Sequence, residues 1–182
     1  MPSGRMAGRV QPTIPTSGVL LRPWRQSDRS AVLAGYAEPD IQRWHCRSMT
    51  DGEAREWIDS WDDRWHHETG AGWAIVDGSE VVGQINLRWF DFHEGRTEVS
   101  YWVLPAARGR RVASRALSAL TSWSFTVLGL HRVELEHSTK NPASCRVAQR
   151  AGFAAEGTKR DEVRHTDGWH DMHLHARLDT DA

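Results

Sequence analysis

The sequence predicts an α+β fold organised around a mixed sheet. Hydrophobic periodicity changes along the chain in the order strand, two helices, three strands, helix, strand, helix, two strands. Glycine, proline and asparagine sit at most of the points where the period changes. The 182 residues, 39% hydrophobic and 26% charged, suffice for a single enclosed core.

Residues 1–17 hold three prolines and two glycines without periodicity, so they are expected as a flexible tail, with Met6 an alternative start. One domain is expected over residues 18–178, and a loose terminus over 179–182. The first strand covers residues 19–22 and is closed by Pro23. A helix follows at residues 28–36, with Ser27 as N-cap. Thr50 and Glu53 form a capping box that opens a second helix. On it Trp57, Trp61 and Trp65 recur every four residues and make one aromatic stripe, a core or groove wall.

The period then becomes two. Residues 72–76 and 81–88 read as strands around the turn Asp77-Gly78-Ser79, and residues 97–103 as a third strand stopped by Pro105. Ala113, Ala116, Leu117, Leu120, Trp123 and Val127 trace a helical face that ends near Gly129. Residues 132–137 form a strand. Residues 141–151 form a short helix with Asn141 as N-cap, Pro142 in the first turn and Gly152 as the stop. Two strands, residues 154–163 and 169–178, close the chain around Thr166-Asp167-Gly168.

Bulk charge limits the function classes. With 23 basic and 24 acidic side chains the net charge is −1, which gives no support to a general nucleic-acid or membrane-surface binder. The two cysteines, Cys46 and Cys145, lack ligand or redox spacing and read as free thiols in a reducing compartment. No run approaches the length of a membrane span and no secretory leader is visible, so a cytoplasmic protein is expected, as monomer or homodimer.

The informative stretch is residues 99–114. A strand ends at a proline, a loop with Arg108, Arg110 and Arg111 follows, and a helix begins near Val112. A helix N-terminus presents unpaired N–H groups and a positive dipole end, Gly109 lets backbone approach a ligand, and arginine forks add charge. The stretch therefore reads either as a phosphate cradle or as an ordinary solvated loop. It lacks both GxxxxGK[ST] and GxGxxG.

Arg108-Gly109-Arg110-Arg111-Val112-Ala113 resembles the acyl-CoA-binding loop of the GNAT superfamily of N-acyltransferases, Arg/Gln-x-x-Gly-x-Gly/Ala, with Arg111 at the usual glycine. The segment from Asn141 through Ser144 and Val147 to Gly152-Phe153 resembles the N-x-x-S-x-x-V-x-x-x-x-G-F signature of the RimJ/RimL-type branch. Leu21-Arg22-Pro23, Tyr101-Trp102, Glu156-Gly157, Arg160, Asp167-Gly168 and Asp171 agree with it, so the likeness covers residues 19–178.

The resemblance implies a three-layer α/β/α fold with a central, mostly antiparallel sheet. It implies direct acyl transfer from acetyl-CoA or another acyl-CoA to a primary amine, on a protein N-terminus or a small molecule, with no acyl-enzyme. The cofactor would be held by Val103, whose N–H meets the thioester carbonyl, by Arg108, Gly109, Arg110, Arg111, Val112, Ala113 and Ser114 at the diphosphate, and by Asn141 at the pantetheine arm. Arg111 is expected to swing outward while its backbone still binds. Ser144 would reach the departing sulfur; its other reading is an early-helix cap. The proton of the amine needs an acceptor. Glu98 is the first candidate, on one strand face with Ser100 and Trp102, and Asp161 and Glu162 are rivals.

Asp171, His173 and His175 also share a strand face, but consecutive ligands on a flat strand point in parallel, so no metal is expected. His66 and His67 read as a favourable charge at a helix C-terminus. Two competing readings are a catalytically idle acyl-CoA-binding module and an RNA-contacting patch at Arg108–Arg111. The first predicts CoA binding without thiol release, the second a mobility shift that survives high salt.

Overall fold

The computed structural model describes residues 4–181; residues 1–3 and 182, parts of the two expected loose termini, lie outside the described residues. Eight strands form one sheet in the order β1-β2-β3-β4-β5-β6-β8-β7. They are β1 (Ile14–Pro15), β2 (Leu20–Pro23), β3 (Ala71–Asp77), β4 (Glu80–Asp91), β5 (Arg96–Val103), β6 (Arg132–Ser138), β7 (Ala154–His165) and β8 (Gly168–Leu178). The helices are α1 (Arg29–Ala37), α2 (Pro39–His45), α3 (Asp51–His66), α4 (Val112–Thr126) and α5 (Pro142–Arg150). Every neighbouring pair of strands is antiparallel except β5–β6. The expected mixed, mostly antiparallel sheet is therefore present.

The sheet is covered on both faces. Alternation along β3 sends Trp73 and Ile75 into one core with Leu117 and Leu120 of α4 and Ala148 of α5. Ala74 and Val76 enter a second core with Val32 and Tyr36 of α1, Ile41 of α2, and Ile58 and Trp61 of α3. Trp102 of β5 packs against Gly35 of α1, where an added Cβ would meet the indole at 2.5 Å. The tryptophan stripe divides as its period requires: Trp61 and Trp65 are buried, and Trp57 packs edge-on between Trp24 and Trp61. The Thr50–Glu53 capping box is formed, with the Glu53 amide donating to Thr50 Oγ1.

Three local readings are corrected. The segment from Gly4 to Ser17 packs onto the domain. Met6 is fully buried, and its N–H and that of Ala7 donate to the Glu68 carboxylate at 2.7 and 3.1 Å. The indole N–H groups of Trp65 and Trp73 donate to the carbonyls of Arg9 and Pro12 at 2.6 and 2.8 Å. Prolines remove periodicity from such a segment, but side chains of the domain can still supply its hydrogen-bond partners. Ser27 is not an N-cap, because it lies inside a 3-10 turn, Gln26–Asp28. The order there comes from Asp28, which accepts from the Arg25 amide and takes both nitrogens of Arg22 at 2.6 and 2.8 Å. At the other end Asp179 is fixed by His131 at 2.7 Å, and Asp181 caps the Leu178 amide at 2.8 Å.

Helix α2 was not legible. It has seven residues, opens on Pro39, and stops at Cys46 in the left-handed conformation, too short for a periodic signal.

Candidate active site

The parallel pair β5–β6 sets the site. The two strands register at three positions only, Arg96↔Arg132, Thr97↔Val133 and Glu98↔Glu134, and then separate. Beyond Glu98, β5 keeps its pairing to β4 but has an open edge toward the gap. The Leu104 amide donates to Val82 of β4 at 2.9 Å, so by alternation the N–H groups of Val103 and Tyr101 face the gap. Their carbonyls face it as well. Tyr101 O meets His45 Nε2 at 3.2 Å, and Val103 O accepts from Arg108 Nε at 3.1 Å. The splayed edge thus offers two backbone donors in line, roughly 6.5 Å apart, of which a carbonyl oxygen can take one.

The arginine loop leads from this edge into α4. Gly109 has φ +76°, with open space where a Cβ would stand. Arg111 caps α4 at φ 60°, ψ 20°, the left-handed region that favours glycine. This explains why a glycine is the usual residue there: the backbone shape is retained and the arginine carries the strain. The N–H groups of Val112, Ala113 and Ser114 form the first turn and have no intrahelical acceptor. The expected arginine forks are mostly engaged elsewhere. Arg108 reaches Asp40 of α2 at 2.7 Å and Arg110 reaches Asp77 at 2.6 Å. Arg111 points outward, lining with Arg115, Arg150, Ser118 and Ser122 a cleft of about 590 Å³ along α4.

Helix α5 supplies the third wall. Asn141 Oδ1 accepts from the Ser144 amide at 3.1 Å, so Asn141 is the N-cap, and its amide nitrogen remains for a ligand. Ser144 is not itself a cap. Its Oγ lies 2.8 Å from the Tyr101 hydroxyl. Burial raises the Tyr101 pKa to about 12, so the phenol keeps its proton at neutral pH and is able to donate a hydrogen bond to Ser144 Oγ.

Two clefts meet at this pair. One, of about 370 Å³, runs between β5 and α5 and is lined by Val103, Arg108, Ala113 and Val147. The other, of about 420 Å³, opens under α2 and α3 and is lined by Tyr36, Trp57, Asn86 and Glu136. Tyr101, Ser144, Asn141, Trp44 and His45 belong to both.

The proton-accepting candidates are distributed unevenly. Glu98 sits at the last paired position before the gap, with its carboxylate taken by Arg88 at 2.7 Å and the Trp89 indole at 3.1 Å. It does not line the second cleft, although Arg88 does. Asp161 and Glu162 are exposed on β7; the Asp161 amide binds Asp171, and Glu162 lies 3.8 Å from Lys159. Two groups missed by sequence reasoning do line the cleft. Glu136 pairs with Lys159, and its alternation with Glu134 along β6 was the available signal. His45 lies on the unread helix α2, and burial holds its pKa below the ordinary histidine value, assisted by Arg88 and His165.

The histidines cluster more than one strand allows. His173 and His175 of β8 join His137 of β6 and Cys145 of α5, with candidate ligand atoms within 4.8 Å of one another. Asp171, expected on the same face, instead accepts the Asp161 amide. His137 Nε2 and His175 Nε2 share a 3.1 Å hydrogen bond, and burial lowers both pKa values. His66 and His67 close α3 beside Asp62 and the Asp63 carbonyl.

Comparison with known proteins identifies the family. The family described as Acetyltransferase (GNAT) domain matches residues 19–154. An uncharacterized N-acetyltransferase, YoaA of Bacillus subtilis, is 26% identical over 153 residues, 82% of this chain and 86% of that protein. Spermidine N(1)-acetyltransferase of Escherichia coli is 24% identical over 76% of this chain and 74% of that protein. The crystal structure of RimL, a ribosomal L7/L12 α-N-protein acetyltransferase in complex with coenzyme A, superposes with a TM-score of 0.85 at 20% identity, covering 92% of this chain and 98% of that one. Among the described residues no helix is long and apolar enough to cross a membrane.

Proposed function

Because this chain belongs to the GNAT acetyltransferase family and is an N-acetyltransferase, we propose that it transfers the acetyl group of acetyl-CoA directly to a primary amine on a protein N-terminus or a small molecule. The reading rests on one observation above the others: the two clefts join at the Tyr101–Ser144 pair, beside the open edge of β5.

In this reading the diphosphate sits on the N–H groups of Val112, Ala113 and Ser114, where the dipole of α4 adds to them. Gly109 and the backbone of Arg108, Arg110 and Arg111 complete the cradle. The pantetheine arm lies in the cleft between β5 and α5, against the Asn141 amide. The thioester oxygen takes the N–H group of Val103, which stabilises charge as the tetrahedral intermediate forms, while the Tyr101 N–H, one strand repeat away, is left for the pantetheine arm. The amine enters through the second cleft. Only its neutral form attacks, so it gives up a proton to water held by Glu136, the carboxylate that lines the cleft. Glu98 fixes Arg88 and is the alternative acceptor. As the C–S bond breaks, Ser144 donates its proton to the CoA sulfur and takes the Tyr101 proton in its place, and Tyr101 regains a proton from solvent entering through the open cleft.

A single-turnover assay tests this. Enzyme mixed with acetyl-CoA and an amine panel releases one thiol per acetylated amine, with no acetylated protein intermediate. CoA binding without thiol release on any acceptor would favour an idle binding module.

A further inference from the structure

The acceptor cleft carries a charge pattern that discriminates among amines. Its lining includes four guanidinium groups, Arg47, Arg64, Arg88 and Arg164, and one carboxylate, Glu136. Glu136 is already paired with Lys159 and Arg88 with Glu98. Among the described residues Arg47, Arg64 and Arg164 make no ion pair: Arg47 lies over the Tyr36 ring at 5.8 Å, and Arg64 lies over Trp61 at 4.7 Å. Arg64 also donates to the backbone carbonyls of Thr69 and Arg88, at 3.2 and 2.5 Å, which holds its guanidinium at the β4 wall of the cleft. Burial and the nearby Arg88 together lower the Arg64 pKa. With four cations lining the cleft against Glu136 alone, and only Arg88 of the four in an ion pair among the described residues, the cleft carries an excess of positive charge that a bound anion offsets.

Resting on the acyltransferase reading, we infer that the acceptor is a primary amine in a molecule that also carries carboxylate or phosphate groups, and that Arg47, Arg64, Arg88 and Arg164 bind them. Guanidinium forks suit both anions. Trp57 and Tyr36 beside Arg47 give the adjoining part of the acceptor an apolar surface. The same field favours the neutral, attacking form of the amine over its ammonium, so anion binding and amine activation share one cause. A polycation such as spermidine, with charge of the wrong sign, is disfavoured in this cleft.

The test compares four acceptors with saturating acetyl-CoA by thiol release: an acidic peptide with N-terminal serine, the same peptide with lysines in place of its acids, phosphoethanolamine and spermidine. At least one anionic acceptor is expected to exceed both the lysine peptide and spermidine in kcat/KM by about 10-fold or more, with the advantage shrinking as salt rises. The peptide and phosphoethanolamine arms separate a polymeric from a small-molecule source of the anion. Both residues being exposed, the double variant Arg47→Ala/Arg164→Ala is expected to narrow the gap to about 3-fold or less, chiefly through KM. Turnover of spermidine or the lysine peptide at least as fast as both anionic acceptors overturns the inference and leaves the acyltransferase standing. Absence of thiol release from all four, with release from another primary amine that carries no anion, overturns the inference alone; absence of release from every amine of a wide panel overturns both.

Discussion

The hydroxyls of Tyr101 and Ser144 face each other at 2.8 Å, one from the open edge of β5 and the other from the first turn of α5. Neither element makes this contact by itself. It exists because β5 and β6 part after Glu98, which lets the N-terminus of α5 approach the strand that the sheet has left bare. The pair can therefore report on the chemistry.

Ser144→Ala is expected to lower kcat by about 10- to 100-fold, at or below the usual scale of general acid–base effects, while calorimetric affinity for CoA stays within about 3-fold. Tyr101→Phe removes the recharging proton but leaves Ser144 in place, so its loss is expected to be the smaller. A Ser144→Ala enzyme with full turnover would remove the leaving-group role.

The carboxylates separate by their surroundings. Glu136→Gln is expected to flatten the acidic limb of the pH–rate profile, because a cleft-lining acceptor is lost. Glu98→Gln is expected to weaken the anionic acceptor's KM through a loosened Arg88, with the acidic limb retained. The opposite result, a flattened limb in Glu98→Gln alone, would make Glu98 the proton acceptor.

Arg111 stands in a left-handed conformation that costs a non-glycine residue about 1 kcal/mol. Arg111→Gly is expected to raise Tm by about 2–4 °C in a chain of this size. If backbone donors hold the diphosphate, the donor KM changes by less than about 3-fold. A large rise in donor KM would show that the guanidinium itself is needed.

Burial lowers the pKa values of His45, His137 and His175 below the ordinary 6.5. The unfolded chain then binds more protons than the folded one between the depressed values and 6.5, so stability rises with pH through that window and is lost as pH falls. Tm is expected to drop between pH 7 and pH 5, and His137→Asn is expected to reduce the slope. A flat profile would mean that these imidazoles are not buried as described.

The N-terminal segment is expected to be structural. Met6→Ala removes a fully buried side chain and should cost about 2–5 kcal/mol. Chemical denaturation measures it, and a loss below about 0.5 kcal/mol would restore the flexible tail.

Much of this was legible beforehand because it depends on local chemistry. The Thr50–Glu53 box, the Asn141 cap and the alternation of β5 follow from neighbouring residues and each took its expected place, and the turn expected at Asp77-Gly78-Ser79 is there, tightened to Gly78-Ser79 because Asp77 pairs with Glu80. The failures are non-local. Nothing near Pro12 or Arg9 in sequence announces that Trp73 and Trp65, about sixty positions away, will take their carbonyls. Arg108 and Arg110 looked available because Asp40 and Asp77 are distant in sequence. Glu98 was read correctly as a residue of the central strand, but its engagement by Arg88 depends on strand register. The His137–Cys145–His173–His175 group likewise needs β6, α5 and β8 to come together before it can be seen.

The most direct measurement is a crystal structure grown with CoA. The account predicts the diphosphate on the amides of Val112, Ala113 and Ser114, with the sulfur within about 3.5 Å of Ser144 Oγ. A sulfur far from the Tyr101–Ser144 pair, or a diphosphate held away from the α4 N-terminus by Arg115 and Arg150, would contradict it.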